Sequence, residues 1–132
     1  MTDRPVETGD RIAVYGLLRA GETGFAKFGL ARAFKALGPC TIPGRLYDMG
    51  SYPGLVEGDG AVAGELFEVL DAAVMPTLDA WEDYWPGDPE RSRYERVRVD
   101  LLTPADARAW VYVWRKDLDT ARLIKSGDWL QR

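Results

Sequence analysis

The chain has 132 residues, 46% of them hydrophobic, which suits one buried core and not two. It carries a formal net charge of −4, a single cysteine and no histidine. These values argue against a broad nucleic-acid surface, leave no internal disulfide, and exclude Ser-His-Asp catalysis, Cys-His catalysis and histidine-based zinc sites.

Residues 1–10 are polar and lack the apolar centre of a secretory leader. No run approaches the ~20 apolar residues of a membrane span. A cytoplasmic location without membrane association is therefore expected. The chain divides into a polar segment, 1–10, and a single domain, 11–132.

Residues 11–14, Arg-Ile-Ala-Val, read as a first strand. The pattern then breaks at Tyr15-Gly16-Leu17-Leu18-Arg19-Ala20-Gly21. Glycine at a strand end permits a tight turn and the close approach of another group. Amides left unpaired by such a turn can hold an anion or a developing oxyanion. An ordinary loop is the plain alternative.

In residues 22–37, Phe25, Phe28, Ala31, Phe34 and Leu37 recur every three positions, which predicts a helix or a run of helical turns. Gly29 weakens it and Gly38-Pro39 ends it. Residues 40–48 read as a strand bent at Pro43-Gly44, with Cys40 as a small buried residue. Residues 49–60 contain Gly50, Pro53, Gly54, Gly58 and Gly60 and are predicted as loop. Residues 61–70 form the next strand.

Asp71 is a plausible N-cap for a helix towards Tyr84, but Pro76 sits awkwardly inside it. The helix either tolerates Pro76 or restarts there. Residues 94–102 and 107–114 alternate as two strands of a hairpin, with Val97, Val99 and Leu101 on one face and Tyr94, Arg96, Arg98 and Asp100 on the other. Trp129 is expected to dock the tail. The pattern predicts an α+β fold, a small mixed β-barrel of about five to six strands with a few short helices.

Leu78 and Trp81 define the inward stripe of the helix before Tyr84, and Glu82, four after Leu78, lies on it. Asp79 and Asp83 fall towards solvent. Desolvation beside a tryptophan should raise the Glu82 pKa towards the range of a general acid and base. The alternative is an ion pair with Arg96 or Arg98. Asp79, Asp83 and Asp88 lack a phosphate site that would make them magnesium ligands, so no metal is expected. Residues 90–98 are locally basic, but interleaved acids favour a solvated strand face over an RNA site.

Together, Val14-Tyr15-Gly16-Leu17-Leu18-Arg19-Ala20-Gly21, Gly44-Arg45-Leu46-Tyr47-Asp48, Tyr52-Pro53-Gly54, Leu78-Asp79-Ala80-Trp81-Glu82-Asp83-Tyr84, Tyr94-Glu95-Arg96-Val97 and Ser126-Gly127-Asp128-Trp129 resemble the gamma-glutamylcyclotransferase-like superfamily. The resemblance implies a small mixed barrel and release of 5-oxoproline from a gamma-glutamyl amine or peptide, without a cofactor. It implies Glu82 as general acid/base and Tyr15, Gly16, Leu17 and Leu18 as the glutamyl-binding turn, with Arg19 and Tyr94 as further candidates. Leu17 stands where the family commonly carries serine or threonine, and Asp83 where glycine is frequent. A domain of the same fold that binds a small molecule without turnover is the rival reading, and Leu17 favours it. The implied partner is a small gamma-glutamyl compound, with no nucleic acid and no membrane.

Overall fold

The computed structural model describes residues 5–132. Six strands are formed: β1 Arg11–Val14, β2 Phe34–Asp48, β3 Pro53–Val69, β4 Tyr94–Asp100, β5 Arg108–Trp114 and β6 Arg122–Leu123. The helices are short: α1 Thr23–Lys27, α2 Leu30–Ala33 and α3 Met75–Trp81. The strands make one mixed sheet in the order β4-β5-β1-β3-β2-β6, curled into a half-barrel.

β1 sits inside this sheet, antiparallel to β3 and parallel to β5. Both of its faces are covered. Ile12 and Val14 join a cluster with Leu30, Phe34, Phe67, Leu78 and Trp110, on the side of the helices. Ala13 and Tyr15 join a second cluster with Ile42, Leu55, Leu66, Val111 and Trp129. A strand buried on both faces reads as a continuous apolar run, which is how Ile12-Ala13-Val14 reads. Each large side chain so buried stabilises the fold by about 1.5–3 kcal/mol.

The structure redraws several boundaries. Residues 22–37 are not one helix: Gly29 takes a left-handed φ of 62°, α2 ends at Ala33, and Phe34 already belongs to β2. Pairing of Phe34 with Val69 competes successfully with the helical spacing of the phenylalanines. Residues 53–56 are strand and not loop, because the β2–β3 ladder runs down to Asp48 opposite Pro53, while residues 57–60 bulge from it, exposed, between the Val56–Arg45 and Ala61–Pro43 pairs. Its shifts of register, between Ala36 and Gly38 and between Pro43 and Arg45, absorb the glycines and prolines that suggested breaks.

Asp71 caps a 3-10 turn, Ala72–Val74, its carboxylate accepting from Ala73 N–H at 3.0 Å. α3 then restarts with Pro76 in its first turn and stops at Trp81, short of Tyr84. The β4–β5 hairpin runs from Tyr94 opposite Trp114 to Asp100 opposite Arg108. Its expected polar face is partly wrong: Tyr94 and Arg96 are buried with Val97 and Leu101. Trp129 is 2% exposed and docks the tail, while Ala63 N–H donates to Gly127 O at 2.8 Å. Residues before β1 pack on the body: Val6 is buried and Trp110 Nε1–H donates to Asp10 at 3.1 Å. Among the described residues, no helix is long and apolar enough to cross a membrane.

Candidate active site

The turn after β1 is built by three backbone bonds, Arg19 N–H to Gly16 O at 3.0 Å, Glu22 N–H to Arg19 O at 2.9 Å and Gly24 N–H to Leu17 O at 2.8 Å. The amides of Gly16, Leu17 and Leu18 take no part in these bonds. Gly16 is required by proximity, since a Cβ there would stand 2.5 Å from Pro53 Cγ. The turn therefore lies flat against the start of β3.

A cavity of about 220 Å³ opens beside it, walled by Tyr15, Gly16, Leu17, Leu18, Pro53, Trp81, Glu82 and Tyr94 among others. The turn and the glutamate, some sixty residues apart in sequence, share this space. Glu82 is the residue at which α3 ends, with φ −79° and ψ 2°, a region common in active sites. Its side chain is partly buried, and among the described residues none donates a hydrogen bond to its carboxylate. Burial is the main cause that lifts its pKa from 4.5 to about 8; the nearby Asp79 charge adds to this and Arg93 opposes it.

Asp79 does not face solvent. It is 6% exposed and takes a bidentate pair from Arg96, Nε and Nη2 each at 2.9 Å, plus the Tyr112 hydroxyl at 2.7 Å. Arg96 thereby belongs to Asp79 and leaves Glu82 alone. The guanidinium also lies over Trp110, 4.8 Å from the ring centre. Helix α3 is long enough to present two carboxylates, one saturated and one bare.

Three of the four tyrosines on the cavity wall, Tyr15, Tyr94 and Tyr112, are buried. Tyr15 donates its hydroxyl to Tyr112 O at 2.7 Å and accepts from Leu55 N–H at 3.2 Å. Tyr94 donates to Pro53 O at 2.6 Å and stacks edge-on against Trp114. Burial raises the pKa of Tyr15, Tyr94 and Tyr112, so all three remain hydroxyls and position neighbours instead of carrying charge.

Arg19 is not on the cavity wall. Its guanidinium pairs with Glu65 at 3.0 Å and with Asp128 at 3.0 Å, tying the turn to β3 and to the tail. Cys40 is buried, and that burial lifts its thiol to about 12, so it is no nucleophile. Trp81, Arg93, Tyr52 and Tyr112 are wall residues that sequence reasoning did not assign. The signal for Arg93 was present, a cation directly before Tyr94, but it was read as part of a solvated strand face. A wider hollow of about 680 Å³ adjoins the first and shares Tyr52 and Arg93 with it. Among the described residues, no group of His, Cys, Asp and Glu is arranged to hold a metal ion.

The model of the family described as gamma-glutamyl cyclotransferase, AIG2-like, matches residues 12–131. The chain belongs to that family. It is 36% identical over 123 residues to the gamma-glutamylcyclotransferase family protein YtfP of Escherichia coli K12, covering 92% of this chain and 97% of that one. The solution structure of the Escherichia coli protein superposes with a TM-score of 0.65 at 35% identity, over 92% of this chain and 97% of that one. The gamma-L-glutamyl-butirosin B gamma-glutamyl cyclotransferase of Niallia circulans is 34% identical over 125 residues, 89% of this chain and 74% of that one.

Proposed function

We propose that this chain releases 5-oxoproline and a free amine from a gamma-glutamyl amine or peptide. The substrate's own α-amine attacks its γ-carbonyl carbon, a new C–N bond closes the five-membered ring, and the bond to the leaving amine breaks. The nucleophile is part of the substrate, so the protein needs no serine or cysteine. Holding amine and carbonyl in one small cavity supplies the advantage of an intramolecular reaction.

Glu82 takes the proton that the α-ammonium must lose and returns it to the departing nitrogen. Burial lifts its pKa to about 8, towards the range of an amine, so proton transfer in either direction is closer to level than with an ordinary carboxylate. The amides of Gly16, Leu17 and Leu18 are the donors for the oxyanion. A cavity of about 220 Å³ falls below the roughly 300 Å³ at which drug-sized sites begin, which suits one amino-acid-sized group. The remainder of the substrate extends towards the wider hollow beyond Tyr52 and Arg93.

The observation that carries this reading is that Glu82 and the glycine turn line one cavity. A relative named for action on gamma-glutamyl-butirosin B supports a gamma-glutamyl substrate. The test is incubation of the purified chain with a panel of gamma-glutamyl amines and peptides, with 5-oxoproline followed by mass spectrometry. Product from at least one member is expected. Saturable binding without product would favour the non-catalytic rival that Leu17 suggests, and neither binding nor product would refute both.

A further inference from the structure

Among the described residues on the cavity wall, Arg93 is the one cation and Glu82 the one anion. Arg93 is held from several sides. Its Nε pairs with Asp83 at 3.2 Å, and its Nη1 donates to the Tyr52 hydroxyl at 3.1 Å. The guanidinium lies 5.6 Å from the Tyr52 ring centre and 5.9 Å from that of Trp114. Its backbone is clamped as well, donating to Asp83 O and accepting from Arg115 N–H, each at 2.9 Å.

Asp83 explains how the guanidinium is aimed. Its φ of 54° is left-handed, a conformation glycine adopts freely and aspartate tolerates. Here the aspartate uses that bend to accept from Trp85 Nε1–H at 2.6 Å and to pair with Arg93. These bonds leave Nη2 without an acceptor among the described residues. Arg93 lines the cavity with about half of its side chain exposed, and a guanidinium with one arm open is suited to a carboxylate.

We propose that Arg93 binds the α-carboxylate of the gamma-glutamyl group and selects substrates that carry it. This rests on the cyclotransferase reading. A gamma-glutamyl substrate brings a carboxylate into a cavity with largely apolar walls, where an unpaired charge is costly. Glu82 repels it. The free amides of the turn are one set of donors, needed where charge develops on the γ-carbonyl oxygen. Arg93 is the remaining partner, and with it in place the two negative oxygens of the reaction have separate holders.

The test compares two amides of n-butylamine, one with a gamma-glutamyl group and one in which its α-carboxylate is a carboxamide. The leaving amine has no charge of its own to contribute. Wild type should favour the carboxylate about 10- to 100-fold in kcat/KM. Arg93→Met should abolish that preference, and Arg93→Lys should restore part of it. Because each ratio is taken within one variant, a change at Glu82 cancels. A preference that persists in Arg93→Met, as it does when both substrates slow equally, or one that is absent in wild type overturns the proposal. So does an Arg93→Met effect seen only with gamma-glutamylalanine, which would place Arg93 on the leaving group. Calorimetric titration with 5-oxoproline and its amide reads the same preference without turnover. If neither butylamide reacts, the cyclotransferase reading fails, while the titration still decides for or against Arg93; binding of neither compound decides against it.

Discussion

Replacing Glu82 by glutamine removes the one bare carboxylate in the cavity while keeping its size. Loss of a general acid/base lowers kcat by about 100- to 10,000-fold. The pH dependence of wild type should carry the same signature. With a pKa of about 8, the carboxylate is ionised in about one molecule in ten at pH 7, so kcat/KM rises about tenfold between pH 6 and 7 and levels off above 8. Stability runs the other way. In the folded chain Glu82 holds its proton up to about pH 8, whereas unfolded it releases it near its ordinary value of 4.5. Between those values the folded state binds more protons, and stability falls as pH rises, by up to about 1.4 kcal/mol per pH unit from this group. Glu82→Gln removes that slope. The assay is urea denaturation of both proteins at pH 5.5 and 7, together with 5-oxoproline release. The difference in stability between variant and wild type should move in the variant's favour by up to about 2 kcal/mol over that interval. A variant with wild-type turnover, or with the same stability difference at both pH values, would refute the assignment.

Asp79→Leu leaves the Arg96 guanidinium buried and unpaired and should destabilise the fold by about 3–5 kcal/mol in urea titration; adding Arg96→Met should recover most of this. No recovery in the double variant would show that the pair is not the unit of the effect. Gly16→Ala presses a methyl against Pro53, from a starting distance of 2.5 Å to Cγ, and shifts the turn. It should cost about 1–3 kcal/mol of stability and, from misplaced amides, up to about a hundredfold in kcat/KM. Arg19→Met should lower stability by about 2 kcal/mol by releasing Glu65 and Asp128, with KM unchanged, since Arg19 lies off the cavity wall.

Local pattern was a good guide where one rule dominated. The β4–β5 hairpin, the Asp71 cap, the restart at Pro76 and the docking of Trp129 each follow from a short-range signal. It misled where a long-range ladder overrode composition. Pro53 and Gly54 look like a loop, yet pairing with β2 keeps residues 53–56 extended, and only 57–60 bulge out of the ladder. The Glu82 position on the inward stripe was legible from Leu78 and Trp81. The burial of Asp79 was not, because its partners Arg96 and Tyr112 arrive from β4 and β5 and cover a face that helical spacing assigned to water. Arg93 was hidden for the opposite reason. A cation in a charged stretch looks solvated until the fold sets it beside Tyr52 and the cavity.

β1 is four residues long and finds its partners far along the chain, Val14 against Glu65 and Ile12 against Trp110. The Tyr15 hydroxyl is satisfied by a carbonyl 97 positions away. Such pairings close long loops at an entropic cost and raise the contact order of the fold. The glycine turn is carried on that strand, so it has no scaffold until the sheet around it is complete. Amide exchange in β1 should accordingly track global unfolding and not local fraying, and a folding intermediate lacking β5 should bind no ligand at all. The cavity beside that turn thus depends on strands from both ends of the chain, and losing any one of them removes its wall.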